Sequence, residues 1–196
     1  MGRAPRVRTP LRENCVRRDR PLSRWAAALC GCLVATAATA ASPPLELEVK
    51  AAYLAKFAPF VVWPQTAFAG PSAPLVLCVQ GDDPFDGLLD RLTAGQSVGA
   101  HPVVVRRMVR LAPDSGCQIA YLAGSPAQSQ AAALHAVDGQ PVLTVTDADS
   151  EGGGKGIVHL MLINGRVRFI IDAGRAGQSG LAISSKLLAL AADVKR

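Results

Sequence analysis

The segment PLVLCVQGDDP, residues 74–84, decides the fold class of this 196-residue chain. Residues 74–81 form a short apolar run with the composition of a buried β-strand. Asp83 and Pro84 then predict the start of a helix, with Asp83 as the N-cap and Pro84 at the first helical position. A strand that passes directly into a helix is typical of an α/β sheet.

The alternation of helix and strand extends upstream of this segment. Residues 45–62 predict an amphipathic helix, because apolar residues recur at i, i+4 spacing and most charged residues fall elsewhere. Pro59 is expected to kink or end that helix, since its ring clashes with the carbonyl group of Ala55. The predicted apolar stripe consists of Val49, Tyr53, Phe57 and Val61.

Downstream, strands and helices alternate until a hairpin. Asn164-Gly165 favours a two-residue hairpin turn. The predicted strands are residues 102–108, 117–123, 141–146, 157–163 and 166–172, and the predicted helices are residues 125–137 and a last one from Leu181, with Ile183, Leu187, Leu190 and Val194 on one stripe. We therefore expect a single-domain α/β sandwich with a mostly parallel sheet, one C-terminal hairpin and helices on both faces.

The N-terminal residues have the organisation of a secretory signal peptide. Residues 1–24 carry eight Arg and two acidic residues, and the apolar run 25–41 contains the small-residue cleavage pattern Ala38-Thr39-Ala40. An uncleaved membrane anchor is one alternative, but the run is shorter than the roughly 20 apolar residues that a span needs. A lipoprotein modified at Cys32 is the other, and it would need a longer apolar stretch before that cysteine.

Cleavage of this leader would leave a nearly neutral domain. We expect residues 1–41 to be the signal peptide, 42–45 a linker and 46–196 one α/β domain in the periplasm. The chain holds 21 basic and 15 acidic residues; subtracting the leader's eight and two leaves 13 of each sign. Because a neutral domain offers neither a basic stripe nor a stacking platform, we expect no nucleic-acid partner.

Patterns that predict catalysis or metal binding are weak in this chain. His101, His135 and His159 are far apart and lack metal-ligand spacing. Residues 177–180 (GQSG) are one residue short of a nucleophile elbow, and residues 152–156 (GGGKG) lack the upstream Gly and the following Ser or Thr of a P-loop. We therefore expect a non-enzymatic protein without a cofactor or a metal.

Two cysteines follow the leader, Cys78 and Cys117. An even pair in an exported domain suggests one disulfide. Two buried free thiols are the alternative, because buried cysteine is common.

Two groups of residues are candidates for binding. The first helical segment carries more aromatic surface than one core face needs, which predicts a partner or dimer surface formed from Tyr53, Phe57, Phe60 and Trp63. Phe60 and Trp63 are the better candidates because they lie beyond the kink, whereas a core role is at least as plausible for the other two. A competing hypothesis is a sensor of nucleotides or amino acids, with its ligand near Asp82 and Asp83 or near the turn 174–185.

Several motifs in order resemble the YfiR family of periplasmic proteins. They are Val49-Lys50-Ala51-Ala52-Tyr53-Leu54, Lys56-Phe57-Ala58, Trp63-Pro64, Leu77-Cys78-Val79, Gly81-Asp82-Asp83-Pro84-Phe85, Val142-Leu143-Thr144-Val145, Asn164-Gly165-Arg166-Val167-Arg168-Phe169 and Ile183-Ser184-Ser185-Lys186-Leu187-Leu188. The resemblance spans residues 46–194.

The resemblance implies a function that composition and spacing do not. YfiR-like proteins are homodimeric repressors that bind the periplasmic domain of an inner-membrane diguanylate cyclase, and a peptidoglycan-associated outer-membrane lipoprotein can sequester them. Cyclic-di-GMP and biofilm formation then rise. Cys78 and Cys117 match the family's linking cysteines, which implies a redox-sensitive repressor.

This chain departs from the family pattern at several positions. A second cysteine pair is absent, Pro59 and Val62 replace polar and acidic residues, and Gly177-Gln178 replaces paired arginines. If the family's paired arginines hold a small anionic ligand, this chain has lost them. The residues left here for such a ligand are Arg168, Arg175 and Lys186, with the neighbouring hydroxyls of Ser184 and Ser185.

Overall fold

A computed structural model describes residues 44–148 and 153–196; the predicted leader, residues 1–41, lies outside the described residues. The helices are α1 Leu45–Phe57, α2 Leu88–Thr93, α3 Gln130–Ala136, α4 Ala173–Gln178 and α5 Ser185–Leu190. The strands are β1 Val61–Val62, β2 Leu75–Gly81, β3 Ser97–Val98, β4 His101–Met108, β5 Ile119–Gly124, β6 Leu143–Asp147, β7 Val158–Ile163, β8 Arg166–Asp172, β9 Ala182–Ile183 and β10 Asp193–Lys195. Two 3₁₀ turns, Ala58–Phe60 and Gln65–Ala67, flank β1.

Eight strands form one sheet in the order β10-β8-β7-β6-β5-β2-β4-β3. The central pairs from β4 to β7 are parallel, and β7 and β8 form the antiparallel hairpin. At its turn, Asn164 and Gly165 have φ values of 51° and 70°, which is what a type I′ hairpin requires. The predicted α/β architecture with a mostly parallel sheet and a C-terminal hairpin is confirmed.

A hydrophobic core lies on each face of the sheet. Alternate residues of β2 divide between them, with Leu77 on the side of α1 and Cys78 on the side of α3. Phe57, Phe85 and Phe169 are fully or almost fully buried in the first core, and Leu122 belongs to the second. The prediction of helices on both faces is therefore confirmed.

The buried face of α1 differs from the predicted stripe. Lys50, Ala51, Leu54, Ala55 and Phe57 are buried, whereas Val49 and Tyr53 are only partly buried. The sequence prediction assigned charged residues to the solvent face, and Lys50 is instead 2 % exposed. It is buried because its ammonium group is paired with carboxylates, as described below. Pro59 ends the helix as expected, with Phe57 as its last residue.

Two predicted helix starts are wrong because turns come first. Asp83 does not cap a helix; its side chain accepts a 2.8 Å hydrogen bond from the amide of Phe85, an Asx turn that delays α2 to Leu88. Likewise, Ser125 and Pro126 form a tight bridge that pairs Ser125 with Gln128. Helix α3 begins only after Ser129, whose hydroxyl caps it.

The predicted last helix is divided into several elements. Ile183 lies in β9, which pairs with β1, and Val194 lies in β10, which pairs with Ile171 of β8. Only Leu187 and Leu190 of the predicted stripe are helical. The apolar residues in 181–194 have the spacing of one helix, although those at the two ends belong to short strands that pair with β1 and β8. None of the helices in the described residues is long and apolar enough to cross a membrane.

Candidate functional sites

The ribbon formed by β1 and β9 brings together residues that are about 120 positions apart in the chain. Val61 pairs with Ile183 and Val62 with Ala182, and the amide of Ser184 donates to the Phe60 carbonyl oxygen over 2.9 Å. We call Phe60, Val62, Trp63, Ser185 and Lys186 the ribbon surface. Val62 is 67 % exposed, Phe60 and Trp63 are half-buried, and Ser185 and Lys186 are exposed. Two candidate partner residues, Phe60 and Trp63, and two candidate ligand residues, Ser185 and Lys186, therefore lie on or next to the same two-stranded ribbon.

Trp63 is fixed in its position on this surface. Its indole Nε1 donates to the backbone oxygen of Gln118 over 3.1 Å. Gln118 is itself buried, and its side chain accepts a 2.8 Å hydrogen bond from the amide of Val76. A rigid aromatic ring with part of its surface exposed loses little entropy when a partner covers it.

The other two predicted surface aromatics contribute to the core. Phe57 is 1 % exposed, so its ring is not available to a partner in this conformation. Tyr53 is partly buried, stacks on Phe57 at 6.0 Å between ring centroids, and meets the edge of Phe169 at 5.2 Å. The partner-surface prediction stays open for Phe60 and Trp63 and does not fit the burial of Phe57.

Cys78 and Cys117 form a disulfide that joins β2 to the residues just before β5. Their Cα atoms are 5.8 Å apart, and the two cysteines are 0 % and 5 % exposed. The bond closes a loop across 39 positions of sequence. The alternative of two free thiols is therefore wrong for this structure, and the bond fits an oxidising compartment.

A cavity of about 750 Å³ opens at the carboxyl edge of the sheet. Its walls are the first turn of α1 and the ends of β2, β5 and β6, with Pro44, Leu47, Pro84, Ala123 and Pro126 as apolar lining and Glu46, Lys50, Asp82, Tyr121, Ser125 and Asp147 as polar lining. We call it the sheet-edge cavity. Ligands of parallel α/β sheets commonly bind at this edge.

The close approach of two strands shapes this edge. Gly81 has a φ of 86°, and a Cβ atom there would lie 2.2 Å from the carbonyl oxygen of Gly124. The register of β2 and β5 shifts at this point, and the amide of Asp82 donates to the same oxygen over 3.1 Å. Glycine at position 81 therefore lets both strand ends meet at the mouth of the cavity.

A buried ion pair forms the floor of the cavity. The ammonium nitrogen of Lys50 lies 2.6 Å from Asp147 Oδ2, with side chains 2 % and 3 % exposed, and it also pairs with Glu46. The Tyr121 hydroxyl donates to Asp147 over 3.4 Å. A buried pair of this kind adds little net stability compared with apolar residues of similar volume, so its presence favours a role beyond stability.

The remaining candidate ligand residues lie apart. Asp82 lines the sheet-edge cavity and is exposed, whereas Asp83 is bound to Arg107 over 2.7 Å. Arg168 lines a separate open cavity beside the hairpin. Arg175 donates to the backbone oxygen of Lys155 near α4. Arg168 and Arg175, the arginines left in this chain for an anionic ligand, thus line different cavities in residues 44–148 and 153–196.

A second buried polar pair lies beside the cavity strands. His159 on β7 is 7 % exposed, and its Nδ1 lies 2.9 Å from the hydroxyl oxygen of Thr146, which accepts a hydrogen bond from the amide of Gly156. The direction of the hydrogen bond between this hydroxyl and Nδ1 depends on the tautomer of the ring. Burial, with a smaller effect of Lys155, lowers the pKa of His159 below its usual value.

Sequence reasoning missed the floor of the cavity. Lys50 is four residues before Leu54 and seven before Phe57, which places it on the buried stripe of a helix, but a charged residue alone does not reveal its partner. Asp147 ends β6, and the carboxyl end of a strand is the signal that could have pointed to it. In residues 44–148 and 153–196, no group of His, Cys, Asp and Glu has the arrangement of a metal site.

Comparison with known proteins identifies one family. The family model described as YfiR/HmsC-like matches residues 47–192. Of the elements in the part of the chain that the structure describes, this range covers all five helices in part or whole and nine of the ten strands. No curated protein matches the chain. The matched range includes the disulfide, the ribbon surface and most of the residues that line the sheet-edge cavity.

Proposed function

The chain belongs to the YfiR/HmsC-like family, a family of periplasmic regulators of diguanylate cyclases, and from this we propose that it represses one inner-membrane cyclase. Repression would occur by docking to the periplasmic domain of that enzyme, with lower cyclic-di-GMP and less biofilm as the result. The family match over residues 47–192 is the observation that carries this proposal. We further propose that residues 1–41 direct export and that the protein has no catalytic activity of its own.

The ribbon surface is the proposed docking site. Its centre is apolar, with Val62 67 % exposed between the half-buried rings of Phe60 and Trp63. Tryptophan is among the residues that most often dominate binding energy, and the hydrogen bond from Trp63 to Gln118 holds its ring in place. Lys186 supplies a charge at the rim, where it can orient an acidic partner.

Val62→Glu tests this docking site with little risk to the fold. A carboxylate in a desolvated interface without a partner should weaken binding by more than about tenfold, or roughly 1.4 kcal/mol. Val109→Glu is the matched control, because Val109 is a valine of similar exposure, 64 %, outside the ribbon surface. The assay is co-purification and titration against the periplasmic domain of each inner-membrane diguanylate cyclase of the native host.

The possible results of this assay distinguish an error in the proposed function from an error in the position of the docking site. Loss of binding only in Val62→Glu supports the docking site. Equal binding by both variants and the unaltered protein would move the docking site elsewhere while keeping the function. Failure of the unaltered protein to bind any cyclase domain would refute the proposed function.

Two further partners follow from the same proposal. We propose that the protein forms a homodimer, which light scattering of the purified protein tests. We also propose that a peptidoglycan-associated outer-membrane lipoprotein sequesters it. If so, the lipoprotein should compete with the cyclase domain in the binding assay, and additive binding would contradict sequestration.

A second candidate function is a small-molecule sensor without a cyclase partner, and the sheet-edge cavity favours it. A volume of about 750 Å³ is in the range of ordinary ligand sites. Ligands that bind only the folded state raise the melting temperature, so a thermal-shift screen of nucleotides and amino acids tests this function. A selective ligand together with no cyclase binding would favour the sensor.

A further inference from the structure

Gln118 connects the ribbon surface to the centre of the sheet. It lies directly before β5, the strand between β2 and β6, and it is 3 % exposed. Its amide donates to the carbonyl oxygen of Val76 over 3.0 Å, and its carbonyl oxygen accepts from the amide of Leu143 over 2.8 Å. The backbone of Gln118 is therefore fixed to both neighbouring strands.

The same residue holds two points of the segment that follows β1. Its carbonyl oxygen accepts a second hydrogen bond, from the indole Nε1 of Trp63 over 3.1 Å. Its side-chain Nε2 donates to the carbonyl oxygen of Ala67, at the end of the 3₁₀ turn Gln65–Ala67. Because residues 63–67 are bound to Gln118 at both ends, a change at Gln118 reaches the indole ring through two contacts.

The side-chain bonds of Gln118 need an acceptor and a donor at the same time. While Nε2 donates to Ala67, Oε1 accepts from the buried amide of Val76 over 2.8 Å. A methionine side chain has neither group, a glutamate carboxylate has no donor, and an asparagine is a methylene shorter. An apolar residue at position 118 would leave the Val76 amide without this acceptor and would release Ala67.

We propose that Gln118 is a positioning residue of the ribbon surface, which holds Trp63 in the orientation that a partner meets. The ring of Trp63 packs against the first core and is only half-buried, so part of it is available for docking. A side chain that is already held in its bound orientation loses less entropy on binding. The inference rests on the proposed docking site, and the buried Gln118 acts through Trp63 rather than by contact with the partner.

Gln118→Met tests the proposal, because methionine is close to glutamine in size and forms none of the side-chain bonds. Gln80→Met is the matched control. Gln80 is also a buried glutamine, 0 % exposed, and its Nε2 donates to the carbonyl oxygens of Val109 and Gln128, outside the ribbon surface. Urea unfolding of both variants measures how much stability each substitution removes, so that a general loss of stability is recognised.

The orientation of Trp63 can be measured without any partner. Trp25 and Trp63 are the two tryptophans of the chain, so Trp25→Phe in every protein compared leaves Trp63 as the single source of indole signals. In ¹⁵N-labelled protein, the indole N–H should give one protected resonance in the parent protein and in Gln80→Met. In Gln118→Met this resonance should shift or split, and its hydrogen exchange should be at least about tenfold faster.

Binding is then measured by titration against the periplasmic domain of the cyclase. Gln118→Met should raise the Kd about threefold to tenfold, because Trp63 must be ordered when the partner binds. Gln80→Met should leave the Kd unchanged. If Gln118→Met does not fold, Gln118→Asn takes its place, since it keeps a polar side chain that is too short to reach Val76 and Ala67 together.

Three results would overturn the proposal. They are an indole resonance in the position 118 variant that matches the parent protein, an equal change in Gln80→Met, and an unchanged Kd despite a mobile ring. Failure of the unaltered protein to bind any cyclase domain would instead refute the proposed function. The indole resonance would still decide whether Gln118 orients Trp63, because it is recorded without a partner.

Discussion

Reduction of the Cys78–Cys117 disulfide should remove a large part of the stability of this domain. The bond joins residues 39 positions apart. In the chain-entropy model, a closed loop of that length restricts the unfolded chain by about 4 kcal/mol. A domain of this kind has roughly 5–15 kcal/mol of stability in total, so the loss should be easy to measure. Both sulfurs are buried beside the second core, and the native contacts should change little because only the covalent link is removed.

Equilibrium urea unfolding with and without dithiothreitol measures this effect. With a urea dependence of about 2 kcal/mol per M, the midpoint should fall by about 2 M on reduction. The Cys78→Ala, Cys117→Ala double variant is the control and should show no response to dithiothreitol. A decrease of less than about 1 kcal/mol in the unaltered protein would refute the entropic argument, since the loop length alone predicts several times more.

Three further predictions concern other parts of the structure. Gly81→Ala should lower the free energy of unfolding by about 2–4 kcal/mol in urea titration. The added Cβ atom would lie 2.2 Å from the Gly124 carbonyl oxygen, and the φ of 86° is unfavourable for alanine. A smaller loss would show that the two strands can move apart. Lys50→Met should lower the free energy of unfolding by about 3–5 kcal/mol in the same assay, because it removes the ammonium group that pairs with the buried Asp147. The double variant Lys50→Met, Asp147→Leu should regain most of that stability. No gain in the double variant would contradict a role of the ion pair in this loss. Because the pKa of His159 is lowered in the folded protein, the unfolded state binds a proton first as the pH falls. The free energy of unfolding should therefore decrease below about pH 6.5, by at most about 1.4 kcal/mol per pH unit. Urea titrations between pH 5 and 8 should show that His159→Gln lacks this decrease, and identical pH dependence in both proteins would contradict the prediction.

The fold was predictable from the sequence where local patterns and tertiary contacts agree. The composition of the apolar run ending at Gly81 favours a buried strand, and that strand was predicted. The Asn164-Gly165 turn was also predicted, because both residues adopt the positive φ values that it requires. The prediction failed where a side chain forms a hydrogen bond with a backbone amide and so prevents a helix from starting there. The carboxylate of Asp83 accepts hydrogen bonds from the amide of Phe85 and from Arg107, and α2 therefore starts later than predicted. An aspartate that caps a helix and one that forms such a turn cannot be distinguished from the sequence alone.

The candidate sites depend on contacts that no local pattern encodes. Phe60 and Ser184 meet only because β1 pairs with β9, and that pairing cannot be read from two-residue strands. Lys50 and Asp147 are nearly one hundred residues apart, and their pairing requires the position of α1 over the end of β6. Sequence spacing places a residue on the face of an element, but it does not say which distant residue lies opposite.

We propose above that this protein represses a diguanylate cyclase by docking through the ribbon surface. The most direct measurement is the cellular concentration of cyclic-di-GMP in the native host after deletion of the gene. The concentration should rise on deletion and return to the original level with the unaltered gene or with Val109→Glu. It should stay high with Val62→Glu at equal protein abundance. An unchanged cyclic-di-GMP concentration after deletion, under conditions in which the protein is produced, would show that the protein does not repress a cyclase.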